Sequence, residues 1–317
     1  MQRPLIALAA LLFSAAPALA EVPRVVATIK PIHSLVAAVM GDLGTPTLTV
    51  KGAASAHTYS LRPSDAGAIE AADIVFWTGH DMEVFLEDSL ATLAATANVV
   101  ALGQVSGIEL LPTREGGMFE AHADGDEHGH EAHHHDADEA HDHAHGEFDM
   151  HMFLDPANAR IMVSAIADTL GAADPDNAAT YAANAATQNA ALDQLIADIA
   201  AKLAPVRDKP IVVFHDAYQY FERRFDLTVA GSITVSPENM PGADRISSVR
   251  DKLKTLGTAC VFTEPQFDPR IVDVLVEGTP AGKGVLDPEG ANLDEGPGLY
   301  PALLNAMADS IVGCLGN

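Results

Sequence analysis

The chain is short of positive charge, of cysteine and of long apolar runs, and each shortage excludes something. Its 317 residues carry 18 Lys or Arg against 44 Asp or Glu, a formal net charge of −26. A surface so acidic argues against nucleic acid and anionic membranes as partners and favours cations. There are only two cysteines, Cys260 and Cys314. They could form a Cys metal site, but no C-x-x-C spacing supports one; in an oxidising compartment such a pair usually forms a disulfide. Beyond the first 20 residues no apolar run is long enough to span a bilayer. Those 20 residues, MQRPLIALAALLFSAAPALA, read as a secretory signal peptide: Arg3 opens it, an apolar stretch follows, and Ala18-Leu19-Ala20 is an A-x-A cleavage signal. The expected mature start is Glu21, which is not the Cys of a lipid anchor. The expectation is a soluble, exported protein.

What the chain has in excess is histidine next to acid. Residues 115–149 hold nine of the 14 His, interleaved with twelve Asp or Glu and no Lys or Arg. The stretch has too little apolar surface to offset the entropy of ordering, so it is expected to be a flexible acidic His-rich loop. Neutral imidazoles suit borderline-soft ions such as zinc, and acidity alone does not require them.

Around this stretch, strands alternate with helices. β-rich runs at 25–29, 47–50, 74–77 and 98–102 are separated by helical segments, including a predicted helix over Met82 to Thr96. Residues 211–214, 227–233, 259–263 and 284–286 repeat the pattern. Between the two sets, Asp174-Pro175 starts a helix that runs to about Leu203 without a breaker, with Leu192, Leu195, Ile196, Ile199 and Leu203 as one apolar stripe. Gly171 reads as the stop of the helix before it. The fold class is therefore α/β: two lobes, each with a mostly parallel sheet, joined by one long rigid helix. The domain reading is a signal peptide over 1–20, an N-terminal lobe over 21–172, a linking helix over 173–204 and a C-terminal lobe over 205–317.

Outside the His-rich stretch five His remain: His33, His57, His80, His151 and His215. His57 follows the second strand, His215 ends the first strand of the second lobe, and His151 stands between the His-rich stretch and a helix. Ligands of open α/β sheets bind beyond the carboxyl ends of the strands, so these three share an address in the inter-lobe cleft. Asp287 follows the last short strand and joins them; three imidazoles and one carboxylate make a tetrahedral set suited to zinc. Each alone is weak, since a His at a strand end is more often structural and Asp287-Pro288 is a common turn. His33 reads as supporting, His80 as a surface residue near a loop tip, and Trp77, Phe214 and Tyr218 as core.

GAASAHTYSLRPSDAGAIEAADIVFWTG (52–79), DMHMFLDPANA (149–159), VVFHDAYQYFE (212–222), FTEPQF (262–267) and LDPEG (286–290) resemble the zinc-binding components, ZnuA type, of bacterial zinc ABC transporters. The resemblance covers essentially the whole mature chain. It implies a cluster A-I substrate-binding protein in the periplasm, with ligands at His57, His151 and His215; three His favour zinc over manganese, whose binders usually replace one with a carboxylate. It also supports a Cys260–Cys314 disulfide. Some relatives place an acid directly before the first ligand His; here that position is Ala56, which leaves Asp287 or a water as fourth ligand, with Asp287 outside the coordination sphere as the alternative. The implied function is capture of Zn2+ by a monomer and delivery to a membrane ABC permease, with a periplasmic zinc chaperone as a further possible partner. The rivals are a carrier of manganese or another divalent ion, a periplasmic zinc hydrolase, and a metal-dependent adhesin or chaperone. No Ser-His-Asp arrangement of local motifs supports the hydrolase.

Overall fold

The computed structural model describes residues 22–114, 147–234, 241–256 and 259–316. The expected signal peptide and cleavage site, and nearly all of the His-rich stretch, lie outside them.

The N-terminal lobe is built on β1 (Val25–Ala27), β2 (Thr47–Leu48), β3 (Ile74–Trp77) and β4 (Asn98–Ala101), all parallel in the order β2-β1-β3-β4. Parallel neighbours need crossover connections, and α1 (Lys30–Met40), α2 (Pro63–Glu70) and α3 (Glu87–Leu93) supply them. Pro31 and Pro63 sit in the first turns of α1 and α2, where a missing N–H costs nothing. The helix predicted over Met82 to Thr96 is shorter than its apolar spacing suggests. Val84–Leu86 is a 3-10 turn and α3 covers only Glu87–Leu93. Val84, an apolar residue of that segment, is 55% exposed, so its apolar residues are not buried as one face.

A two-stranded antiparallel ribbon, β5 (Leu111–Pro112) with β6 (Phe148–Asp149), leaves the first sheet's side of the molecule and brackets the His-rich stretch. The chain then enters α4 (Pro156–Ala173), capped by the Asp155 carboxylate accepting from Ala157 N–H at 2.8 Å. A 3-10 turn over Pro175–Asn177 leads into α5 (Ala178–Leu203). Gly171 does not stop α4. It lies inside the helix, and a Cβ there would stand 3.2 Å from that of Ala178; the glycine lets the start of α5 fold back closely on α4.

At 26 residues α5 is about 39 Å long. It buries Tyr181, Ala185, Leu192, Leu195, Ile199 and Leu203 along one face, against α1 and α4 on the first lobe's side and against α9 (Leu299–Leu315) on the second's. Each buried Leu or Ile of that face contributes about 1.5–3 kcal/mol. The C-terminal lobe repeats the first: β7 (Pro210–Val213), α6 (Gln219–Phe225), β8 (Thr228–Ser232), α7 (Ala243–Leu256), β9 (Cys260–Thr263), α8 (Arg270–Val276) and β10 (Gly282–Val285) form a parallel sheet ordered β10-β9-β7-β8. Cys260 and Cys314 are joined by a disulfide that fastens α9 to β9.

The lobes are also pinned to each other by polar contacts. Lys30 Nζ, at the start of α1, donates to the carbonyls of Gly290, Ala291 and Leu293 at 2.9–3.2 Å. At the start of α9 the N–H of Tyr300 donates to Ser34 Oγ, and its hydroxyl donates to Phe153 O. Arg114 pairs with Asp216 and Glu222, and Arg224 with Asp155. A large hinge motion would have to break these contacts together.

Candidate metal centre

Three side chains arrive at one point from three connections. His57 lies in the loop after β2, His151 two residues beyond β6, and His215 two residues beyond β7. The Nε2 atoms of His57 and His151 are 3.1 Å apart and those of His151 and His215 are 3.4 Å apart. The three groups offer ligand nitrogens that all lie within 4.8 Å of one another. A tetrahedral zinc with bonds of about 2.0–2.1 Å holds its nitrogens about 3.3–3.4 Å from each other. The spacing of these imidazoles therefore fits a tetrahedral ion with little adjustment. His151 and His215 are buried and His57 is half-buried, which gives the site one accessible side.

Two of the rings are held from behind. His151 Nδ1 lies 2.8 Å from Asp149 Oδ1, which also accepts the backbone N–H of His151 at 2.9 Å. His215 Nδ1 lies 2.8 Å from both oxygens of Glu264, and Tyr218 donates its hydroxyl to the same carboxylate at 3.1 Å. An ionised carboxylate can only accept, so each Nδ1 carries the proton and each Nε2 turns a lone pair inward. Lone pairs this close repel one another until a proton or a cation lies between them. Burial disfavours the charged form of His215, but the charge and hydrogen bond of Glu264, with Asp216 and Asp149 behind, outweigh it and raise its pKa above the ordinary imidazole value.

The ribbon is what places His151. Tyr220 on α6 accepts the N–H of Leu111 on β5 at 2.8 Å and donates to the carbonyl of Asp149 on β6 at 2.5 Å. Gln219 Nε2 reaches both Pro112 O and Asp149 Oδ2. Sequence reasoning missed this device and the roles of Asp149, Tyr220 and Glu264. Two-residue strands are too short for periodicity to register, although the pairing of an acid two residues before His151 was visible.

Asp287 is not gathered with the three imidazoles. Its Oδ1 accepts from the N–H groups of Glu289 and Gly290 and from Gln266 Nε2, and its Oδ2 accepts from Ala291 N–H. It organises the turn after β10. The side chain two residues on, Glu289, is buried, and its carboxylate accepts from the N–H of Ala56 at 3.2 and 3.3 Å. Burial pushes Glu289 up to about 8, against the pull of the Ala56 N–H and of His151, with Asp287 and Glu264 adding to the rise.

The remaining His are structural or peripheral. His33 is buried with Nε2 3.0 Å from Pro46 O, and burial lowers its pKa. His80 is exposed between Asp81 and Glu87, which raise its pKa. Phe214 stacks on Phe267 with ring centroids 4.9 Å apart, and Tyr218 is buried, both as expected of core residues. Trp77 is only half-buried.

Residues 25–314 match the family model for the zinc-uptake complex component A, periplasmic, ZnuA. The chain is 51% identical over 308 residues to the high-affinity zinc uptake system protein ZnuA of Brucella abortus, with 92% of this chain and 91% of that protein covered. It is 38% identical over 354 residues to the protein of the same description from Paracoccus denitrificans, with 100% and 99% covered. Among solved structures it shares its fold with a ZnuA crystal structure at a TM-score of 0.74 and 24% identity, over 92% of this chain and 99% of the other.

Proposed function

Because this chain belongs to the ZnuA family of zinc-uptake components, we propose that it captures Zn2+ in the periplasm and hands it to the membrane ABC permease of a high-affinity zinc uptake system. The observation that carries this reading is the convergence of three Nε2 atoms, two of them 3.1 Å apart, at the spacing of a tetrahedral ion. His57, His151 and His215 are the ligands in this proposal. Asp287 acts one step back, by shaping the loop that faces them. Zinc is the cargo, and the all-nitrogen set selects a borderline ion over manganese, which prefers oxygen ligands.

The domain reading goes with it. Residues 1–20 serve as the export signal, cleaved after Ala20; 21–172 and 205–317 form the two lobes, and 173–204 the rod between them. The mature protein works as a monomer, with no chemistry of its own, and receives zinc from solution or from a periplasmic chaperone. The His-rich stretch collects further ions near the cleft, raising their effective concentration there.

Zinc titration calorimetry on the mature protein, beside His57→Ala and His215→Ala, tests the site. One tight site lost in both variants, with weaker sites retained, is the expected result. Tight binding that survived both substitutions would move the site to the His-rich stretch and sink the cleft assignment.

A further inference from the structure

Glu83 is a carboxylate with no exposed surface, and it lies outside the histidine cluster. It stands in the turn after β3. Its Oε1 accepts the hydroxyl of Thr28 at 2.5 Å and the N–H of Thr78 at 3.0 Å, and its Oε2 accepts the N–H of Gly79 at 3.1 Å. Burying a carboxylate is costly even with such donors. What the three bonds fix is the turn at Gly79, whose φ of +148° is one that residues with a side chain rarely adopt.

Gly79 faces Met150. A Cβ on Gly79 would stand 2.8 Å from Met150 Cε, and one on Gly103, just past β4, would stand 2.7 Å from the same atom. Gly103 N–H donates to Thr78 O at 2.9 Å, which ties the ends of β3 and β4 side by side. The end of Met150 therefore fills a socket that exists because both strand ends lack side chains there. An unbranched thioether suits so narrow a space.

Met150 directly precedes the ligand His151. Asp149, one residue earlier, is held by Gln219 and Tyr220 of the second lobe. The chain that carries His151 is thus gripped by the second lobe at 149 and by the first at 150. The bonds from His151 to Asp149 set the rotation of the ring. They join neighbours on one chain, so they do not set how deep that chain sits in the cleft. Groups of a binding site must be held to within about 0.5 Å of their working geometry by the packing behind them.

We propose that Met150 is a positioning residue for zinc capture: its thioether end, seated between Gly79 and Gly103 in a socket braced by Glu83, sets how far His151 reaches toward His57 and His215. This rests on the three-histidine reading of the site.

The test compares the wild-type protein with Met150→Ala, Gly103→Ala, Glu83→Gln, the last two each combined with Met150→Ala, and His57→Ala. Zinc affinity is read by chelator competition, ligand geometry by the visible spectrum of the Co2+-loaded protein, and the fold by the zinc-free melting temperature. Met150→Ala is expected to weaken zinc by on the order of 10-fold and to shift the Co2+ spectrum. Gly103→Ala fills the socket, and Glu83→Gln leaves one acceptor oxygen where two are used; each should weaken zinc while Met150 is present. In the Met150→Ala background each should change affinity by no more than about twofold, because no thioether is left to displace. Effects on affinity that multiplied in the combined variants would overturn the proposal. So would a Met150→Ala protein that lost melting temperature but kept wild-type affinity and spectrum, the behaviour of a side chain that only packs. If that happened while His57→Ala lost the tight site, the socket alone would fall. A His57→Ala protein with unchanged affinity would overturn the histidine site itself.

Discussion

Asp149 and His151 are two residues apart, and one oxygen of the aspartate holds both the backbone N–H and the ring Nδ1 of the histidine, at 2.9 and 2.8 Å. The ring can then turn only its Nε2 to the other two imidazoles. A carboxylate behind a ligating imidazole fixes its tautomer and strengthens it as a donor. Asp149→Asn keeps the shape but offers the ring a weaker, neutral acceptor. It should weaken zinc by about 10–100-fold with little loss of fold, as competition against a chelator and thermal unfolding would show together. Unchanged affinity would mean that the ribbon alone orients His151.

Zinc affinity should fall with acidity sooner than an ordinary imidazole would dictate. His215 has its pKa raised by Glu264 against the effect of burial. A group raised on folding stabilises the zinc-free protein below the unfolded value, near 6.5, and that contribution is lost as pH rises through the folded value. Zinc needs His215 without its Nε2 proton, so binding competes with the form that acid favours. Below the raised pKa each displaced proton costs about tenfold in affinity per pH unit. Glu264→Gln removes the cause of the rise, so its affinity should start to fall only at lower pH, even though its affinity at neutral pH is reduced. Titrations between pH 5 and 8 read both curves; parallel curves would count against the His215–Glu264 coupling.

Much of this was legible in the sequence, and the rest was hidden for physical reasons. Alternating apolar runs give the two parallel sheets, and the rule that ligands sit beyond the carboxyl ends of strands places His57 and His215 together. His151 was legible by position but not by mechanism, since the ribbon that carries it is two residues long on each strand. In LDPEG two carboxylates stand two residues apart. Which one faces the cleft depends on how the turn closes: Asp287 bonds back to the N–H groups ahead of it, and this turns Glu289 outward to Ala56. Gly171 shows the same limit. As a residue type it reads as a helix stop, and only the packing of α5 against α4 shows that it is a point of close approach.

The disulfide should matter for stability and hardly for zinc. Cys260 and Cys314 are 54 residues apart, and closing a loop of that size lowers the entropy of the unfolded chain by an amount worth about 4 kcal/mol. Cys260 opens β9, while Glu264, which supports His215, lies just past the other end of the same strand. The double variant Cys260→Ser, Cys314→Ser should lose about 2–4 kcal/mol in urea unfolding and keep its zinc affinity within about threefold, a shift of less than 1 kcal/mol. A large loss of affinity would show that strain at the α9 end reaches the metal centre through β9.

Removing the His-rich stretch should separate collection from capture. All three proposed ligands lie outside it, and His151 is fixed by contacts that begin at β6: Asp149 with the ring, Tyr220 and Gln219 with the ribbon. β5 and β6 pair with Pro112 opposite Phe148, so the two strands already meet at the base of the deleted segment and a short turn can join them. Deleting residues 116–147 and bridging Glu115 to Phe148 with two or three turn residues should therefore leave one tight zinc site in calorimetry and abolish the weaker ones. It should also lower the rate at which the tight site fills from dilute zinc, because the tethered imidazoles that raise the local ion concentration are gone. If the tight site disappeared with the deletion, the nine histidines of the stretch would be the ligands and the cleft would be a bystander. If the tight site stayed and its filling rate did not change, the stretch would have no part in capture, and a role in sensing zinc abundance would be the one to pursue.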